Sequence, residues 1–100
     1  MNNTDAIRQN VDVASNLLKT MGNPNRLLIL CHLSNGERSV GELEKELKLS
    51  QSALSQHLAR LRKQSLVETR RQAQMVYYSL ASSEAAAVID VLCRAFEKAH

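Results

Sequence analysis

Residues 39–63 read Ser39-Val40-Gly41-Glu42-Leu43-Glu44-Lys45-Glu46-Leu47-Lys48-Leu49-Ser50-Gln51-Ser52-Ala53-Leu54-Ser55-Gln56-His57-Leu58-Ala59-Arg60-Leu61-Arg62-Lys63. Ser39 with Glu42 three residues on forms a capping box, in which each side chain satisfies a backbone N–H of a helix start. Val40, Leu43 and Leu47 then recur at helical spacing. Lys48-Leu49 leaves room only for a tight connector, and Ser50 suits the N-cap of a second helix. In that helix Leu54, Leu58 and Leu61 fall at i, i+4 and i+7. Two short helices joined this closely predict a helix-turn-helix.

Upstream, Ile7, Val11, Ala14 and Leu18, with Val13 and Leu17 beside them, predict one helix over residues 5–20, ended by Met21-Gly22. Asn23-Pro24 opens the next helix, with Asn as N-cap and Pro at the first position. Leu27, Leu28, Leu30, Cys31 and Leu33 make this helix apolar around much of its girth, hence central, and Asn35-Gly36 stops it. Downstream of Gln64-Ser65 the period changes. Leu66–Arg70 and Met75–Leu80 read as two strands joined by Arg71-Gln72-Ala73-Gln74, a hairpin whose loop has no Gly. Ser82 or Ser83 caps a last helix with the stripe Ala85, Val88 or Ile89, Leu92, Cys93 and Phe96. The expected fold is mainly α with a β-hairpin wing: a winged helix-turn-helix of order α-α-α-α-β-β-α, one domain over residues 1–100.

The chain has 100 residues, 44% hydrophobic but only 3% aromatic, so its core must be aliphatic. So short a domain buries a modest share of its surface and would gain from a partner subunit. The polar stretch Met1–Asn10 lacks a secretory apolar run, and no apolar stretch suffices to span a bilayer. The expectation is a cytoplasmic protein with no membrane partner. Cys31 and Cys93 then sit in a reducing compartment, where a pair is more often free thiols or a redox sensor than a structural staple.

Outside its leucine stripe the second helix of the motif offers Gln51, Ser52, Ser55, Gln56, Ala59, Arg60, Arg62 and Lys63. Gln and Arg match base edges in the major groove, and small residues let the backbone approach. Arg60, Arg62, Lys63, Arg70 and Arg71 cluster between this helix and the hairpin, interrupted only by Glu68, and such a patch suits phosphates. His57 lies in the same helix and is a candidate contact. Alone, the basic run is also what a solvated helix face looks like; joined to the tight helix pair and hairpin, it points to double-stranded DNA as partner. The formal net charge of +3 agrees with this. No nucleophile–base pairing, phosphate loop or metal motif appears, so an enzyme is not expected.

Three runs resemble the ArsR-type repressors: Leu17-Leu18-Lys19-Thr20-Met21-Gly22-Asn23-Pro24-Asn25-Arg26-Leu27, Ser39-Val40-Gly41-Glu42-Leu43, and Leu49-Ser50-Gln51-Ser52-Ala53-Leu54-Ser55-Gln56-His57-Leu58. Val67-Glu68-Thr69-Arg70-Arg71 followed by Val76-Tyr77-Tyr78 is similar to their wing. The resemblance implies a homodimer built by the first and last helices, an imperfect inverted-repeat operator, and repression relieved by an inducer. Val11, Ala14, Leu18, Ile89, Leu92 and Phe96 are the expected dimer residues. The metal sensors of the family carry Cys-x-Cys in the third helix or Asp and His ligands in the last. Neither pattern is present, and the adjacent Cys31 and His32 point about 100° apart on a helix. No metal or other cofactor is expected.

The resemblance is to the metal-independent, HlyU-like and BigR-like branch, whose BigR-like members respond to reactive sulfur through one thiol in the second helix and one in the last. Cys31 matches the first. The second usually follows an aromatic directly, which here would be Glu97 after Phe96; Cys93 lies one turn earlier on the same face, about 6 Å away. The resemblance thus makes Cys31 and Cys93 a candidate thiol sensor for reactive sulfur or oxidant. Four alternatives stay open: both thiols as small core hydrophobes, Cys31 acting alone, a DNA-binding protein with no sensor, such as an anti-silencing factor, and a metal-responsive repressor.

Overall fold

A computed structural model describes residues 3–97. The first expected helix is divided into α1 (Asn3–Gln9) and α2 (Val11–Met21). At Asn10 the side-chain amide donates to the Ala6 carbonyl at 2.9 Å, the bond the backbone N–H would make in an unbroken helix. The backbone N–H of Asn10 bonds instead to Ile7 O at 3.0 Å. A short polar side chain competing with the backbone breaks the helix here, although the apolar period runs straight through.

Helix α3 (Pro24–Ser34) begins as the sequence dictates: Asn23 Oδ1 accepts from the N–H groups of Asn25 and Arg26 at 3.0 and 3.1 Å. Helix α4 (Val40–Leu47) has both halves of the Ser39–Glu42 capping box, and α5 (Gln51–Lys63) is capped by Ser50, which accepts from Ala53 N–H at 3.2 Å. Between them Lys48 takes the left-handed conformation, φ 55°, that lets the chain reverse so abruptly. Helix α6 (Ser83–Phe96) is capped by Ser82.

The wing consists of β2 (Val67–Gln72) and β3 (Met75–Leu80), paired antiparallel from Val67 with Leu80 to Gln72 with Met75. The strands therefore extend further than expected, and only Ala73-Gln74 turn. Ala73 supplies a positive φ of 55° where Gly would be the easier choice. A two-residue strand, β1 (Arg38–Ser39), joins the other edge of β3, giving the sheet order β1-β3-β2. It adds a strand between α3 and α4 to the expected order and ties the start of the helix-turn-helix to the wing.

The core is aliphatic: Ile29, Leu30 and Leu33 of α3 meet Leu43 of α4, Leu54, Leu58 and Leu61 of α5, Leu66 and Val67 at the foot of the wing, and Ala85 and Ile89 of α6. Thr20, fully buried, donates to the Gln64 side chain and joins the ends of α2 and α5. Ile89 corrects one expectation: it is 1% exposed within the single chain and belongs to the protomer core, so it has no surface to give a partner. Because α6 is apolar around most of its girth, the sequence leaves open which positions face inward; Ala85 and Ile89, four apart, take that place.

Candidate nucleic-acid interface and thiol pair

The leucine stripe fixes the roll of α5. With Leu54, Leu58 and Leu61 buried, Gln51, Ser52, Ser55, Gln56, Arg60, Arg62 and Lys63 are exposed. They form one outward surface of polar, small and basic side chains on the second helix of the motif.

His57 is half-buried. Burial, and then the charge of Arg26, hold its imidazole below its ordinary value. Arg26, at the start of α3, is itself held below the usual guanidinium range, by burial and then by Arg60. Its Nε donates to Thr20 O at 2.8 Å, which fixes the side chain against the end of α2. Arg26, His57 and Arg60 thus converge on one basic cluster. Arg26 was missing from the sequence-based candidates because it lies far along the chain from the other two.

In the wing, Arg70 is heavily engaged. Its guanidinium meets Glu37 in a two-pronged ion pair at 2.7 and 3.0 Å and donates to Gln72 Oε1 at 2.6 Å. It also lies 4.6 Å from the centre of the Tyr77 ring. The hydrogen bond from Arg70 holds the Glu37 carboxyl below the ordinary carboxylate range. Arg71, the next residue, points from the other face of the strand and makes no ion pair among the described residues. The two wing arginines, paired in the sequence reading, therefore differ: Arg70 anchors the wing to the loop after α3, and Arg71 is exposed.

Cys31 on α3 is half-buried and Cys93 on α6 is exposed. The two thiols are near enough for Cys93 to act on the ionisation of Cys31. Burial pushes the Cys31 thiol up, and the neighbouring Cys93 thiol adds to the rise through its charge and hydrogen bond. Cys93 follows Ala85 and Ile89 by one more turn and is exposed where those two are buried. Among the described residues no group of three or more His, Cys, Asp or Glu side chains could hold a metal ion, and no helix is long and apolar enough to cross a membrane.

A third surface is apolar. Val11 and Leu18 on α2 are 50% and 58% exposed, and Val91 and Phe96 on α6 are 64% and 76% exposed. Ala14 and Leu92 are half-buried on the same two helices. Val91 was not among the expected dimer residues.

A tight helix pair with an outward polar and basic helix, backed by a three-stranded wing, defines a winged helix-turn-helix transcriptional regulator. Residues 23–69 match the model of the bacterial regulatory proteins of the arsR family. The chain is 51% identical over 98 residues to the transcriptional activator HlyU of Vibrio cholerae, covering 98% of this chain and 91% of that protein. The chain belongs to the arsR family of DNA-binding transcriptional regulators, and is not an enzyme. Among solved structures, reduced HlyU from Vibrio cholerae superposes with a TM-score of 0.88 at 52% identity, over 93% of this chain and 98% of that one. The transcriptional repressor BigR from Xylella fastidiosa gives a TM-score of 0.88 at 40% identity, over 96% and 97%.

Proposed function

We propose that this regulator acts in the cytoplasm as a homodimeric repressor on an inverted-repeat operator, and that joining Cys31 to Cys93 releases it. The observation that supports the switch is that the only two thiols in the sequence sit on α3 and α6, near enough for Cys93 to act on the ionisation of Cys31. Helix α6 also bears exposed Val91 and Phe96, which with Val11 and Leu18 of α2 offer an apolar face to a second copy.

In this reading Gln51, Ser52, Ser55 and Gln56 read base edges, while Arg60, Arg62, Lys63 and Arg71 contact phosphates and Arg26 and His57 support them. A covalent bond between α3 and α6 shifts α6 against the core. The recognition helices of the two protomers must match half-sites about one DNA turn apart, so a small change at the dimer face lowers affinity. Reactive sulfur or an oxidant is the inducer. Support comes from the resemblance to the HlyU-like and BigR-like branch and from a relative whose solved structure is described as reduced.

A second reading is supported by the name of the 51% identical relative, a transcriptional activator: the same DNA binding could raise transcription by displacing another DNA-bound protein. Transcription from an operator-bearing promoter with and without this protein, on otherwise naked DNA, separates the two. Repression on naked DNA supports the first; no effect until a silencing protein is added supports the second.

A further inference from the structure

The thiol pair is asymmetric. Beside Cys93 lies a pocket of about 330 Å³. Leu80 and Ala86 give it apolar walls, and Ser34, Asn35 and Asp90 give it polar ones. Cys93 is exposed and lines this pocket, whereas Cys31 is half-buried and does not line it. Around α6, Val91 lies about 160° from Cys93 and Phe96 about 60° from it.

We propose that this pocket receives the organic part of a small disulfide, with Cys93 the attacking thiol and Cys31 the resolving one. The proposal rests on the thiol-switch reading and names its chemistry. The Cys93 thiolate attacks one sulfur of RSSR, forming a Cys93–S–S–R bond as the S–S bond of RSSR breaks and RS⁻ leaves. Cys31, deprotonated next, attacks Cys93 Sγ. The Cys31–Cys93 bond forms, the bond to R breaks, and a second RS⁻ leaves. The two thiol protons end on the two leaving thiolates, so two protein thiols are oxidised and one disulfide is reduced to two thiols. The raised pKa of Cys31 fits the second role, because the more buried thiol forms its thiolate less readily.

The surroundings of Cys93 also choose among reagents. Asp90, three residues before it on α6, shares its face of the helix and lines the pocket, and Glu97 lies just past the helix end. The nearby cation, Arg94, is paired with Asp90 at 3.1 Å. Attack on a disulfide carrying negative charge is therefore disfavoured and on one carrying positive charge favoured, by about threefold per unit charge at the attacked end.

The test is the rate and site of mixed-disulfide formation, followed by mass spectrometry with cystamine, hydroxyethyl disulfide and dithiodipropionate, on the wild-type protein and on Cys31→Ser, Cys93→Ser and Asp90→Asn. Cys31→Ser should accumulate an adduct on Cys93 at the wild-type rate, and Cys93→Ser should react roughly tenfold or more slowly. Cystamine should be fastest and dithiodipropionate slowest, and Asp90→Asn should narrow that spread. A first adduct on Cys31, or equal rates for the three reagents in wild type and Asp90→Asn alike, would overturn the assignment. If oxidised wild type still released its operator, such a result would leave the thiol switch standing; operator affinity indifferent to oxidation would remove the switch itself.

Discussion

Glu37 and Arg70 clasp each other across the molecule, the carboxylate of the loop after α3 taking the guanidinium of the wing at 2.7 and 3.0 Å. An exposed pair of this kind contributes little to stability, but it sets the angle at which β2 leaves the core. Arg71 has no such duty. Arg71→Ala should weaken binding to operator and random DNA alike and reduce the salt slope of log K by about one. Arg70→Ala should change the salt slope less, and Glu37→Ala should reproduce most of its effect. Titrations at several salt concentrations check this; equal slopes for both arginine variants would speak against it.

His57 offers a pH test. Its folded-state pKa lies below the unfolded value near 6.5. Below that value the unfolded chain binds the proton more readily than the folded one, so stability is fully present above about pH 6.5 and declines as pH falls through the window beneath it. Urea unfolding of wild type should show that decline, and His57→Gln should flatten it. Operator DNA should oppose it, since phosphate brought to the Arg26–His57–Arg60 cluster favours the charged imidazole. An identical pH profile for the variant would contradict this reading of the cluster.

Lys48 holds the helix-turn-helix connector in a left-handed conformation. Lys48→Gly should raise unfolding stability by about 0.5–1 kcal/mol, because Gly adopts this φ without a Cβ penalty. A thermal or urea midpoint that falls instead would mean that the lysine side chain contributes contacts outweighing the backbone strain.

The dimer face and the protomer core separate by substitution. Phe96→Asp or Val91→Asp should give folded monomers by ultracentrifugation, with operator affinity reduced roughly a hundredfold as the two half-sites cease to act together. Ile89→Ala, inside the core, should lower stability by about 2–5 kcal/mol and leave the dimer formed. A folded Phe96→Asp dimer would move the interface elsewhere.

Where a structural rule is local, the sequence states it openly. Asn23-Pro24, the Ser39–Glu42 box, Ser50 and Ser82 each start a helix, and the leucine period of α5 identifies its outward residues. Features that depend on distant partners were not legible. The break at Asn10 is a contest between one amide and the backbone within an unbroken apolar period. Strand β1 is two residues long and exists only because β3 offers an edge. Arg26 meets His57 and Arg60 only after folding. The register of Cys93 against Cys31 depends on how far α6 slides along α3, and so does the inward turn of Ile89.

The most direct measurement is the operator dissociation constant of wild type and of the Cys31→Ser, Cys93→Ser double variant, each reduced and then treated with a persulfide or small disulfide. Both reduced proteins should bind alike. Treatment should weaken wild type roughly tenfold or more and leave the double variant unchanged. Equal weakening of the two, or none in either, would contradict a switch made by Cys31 and Cys93.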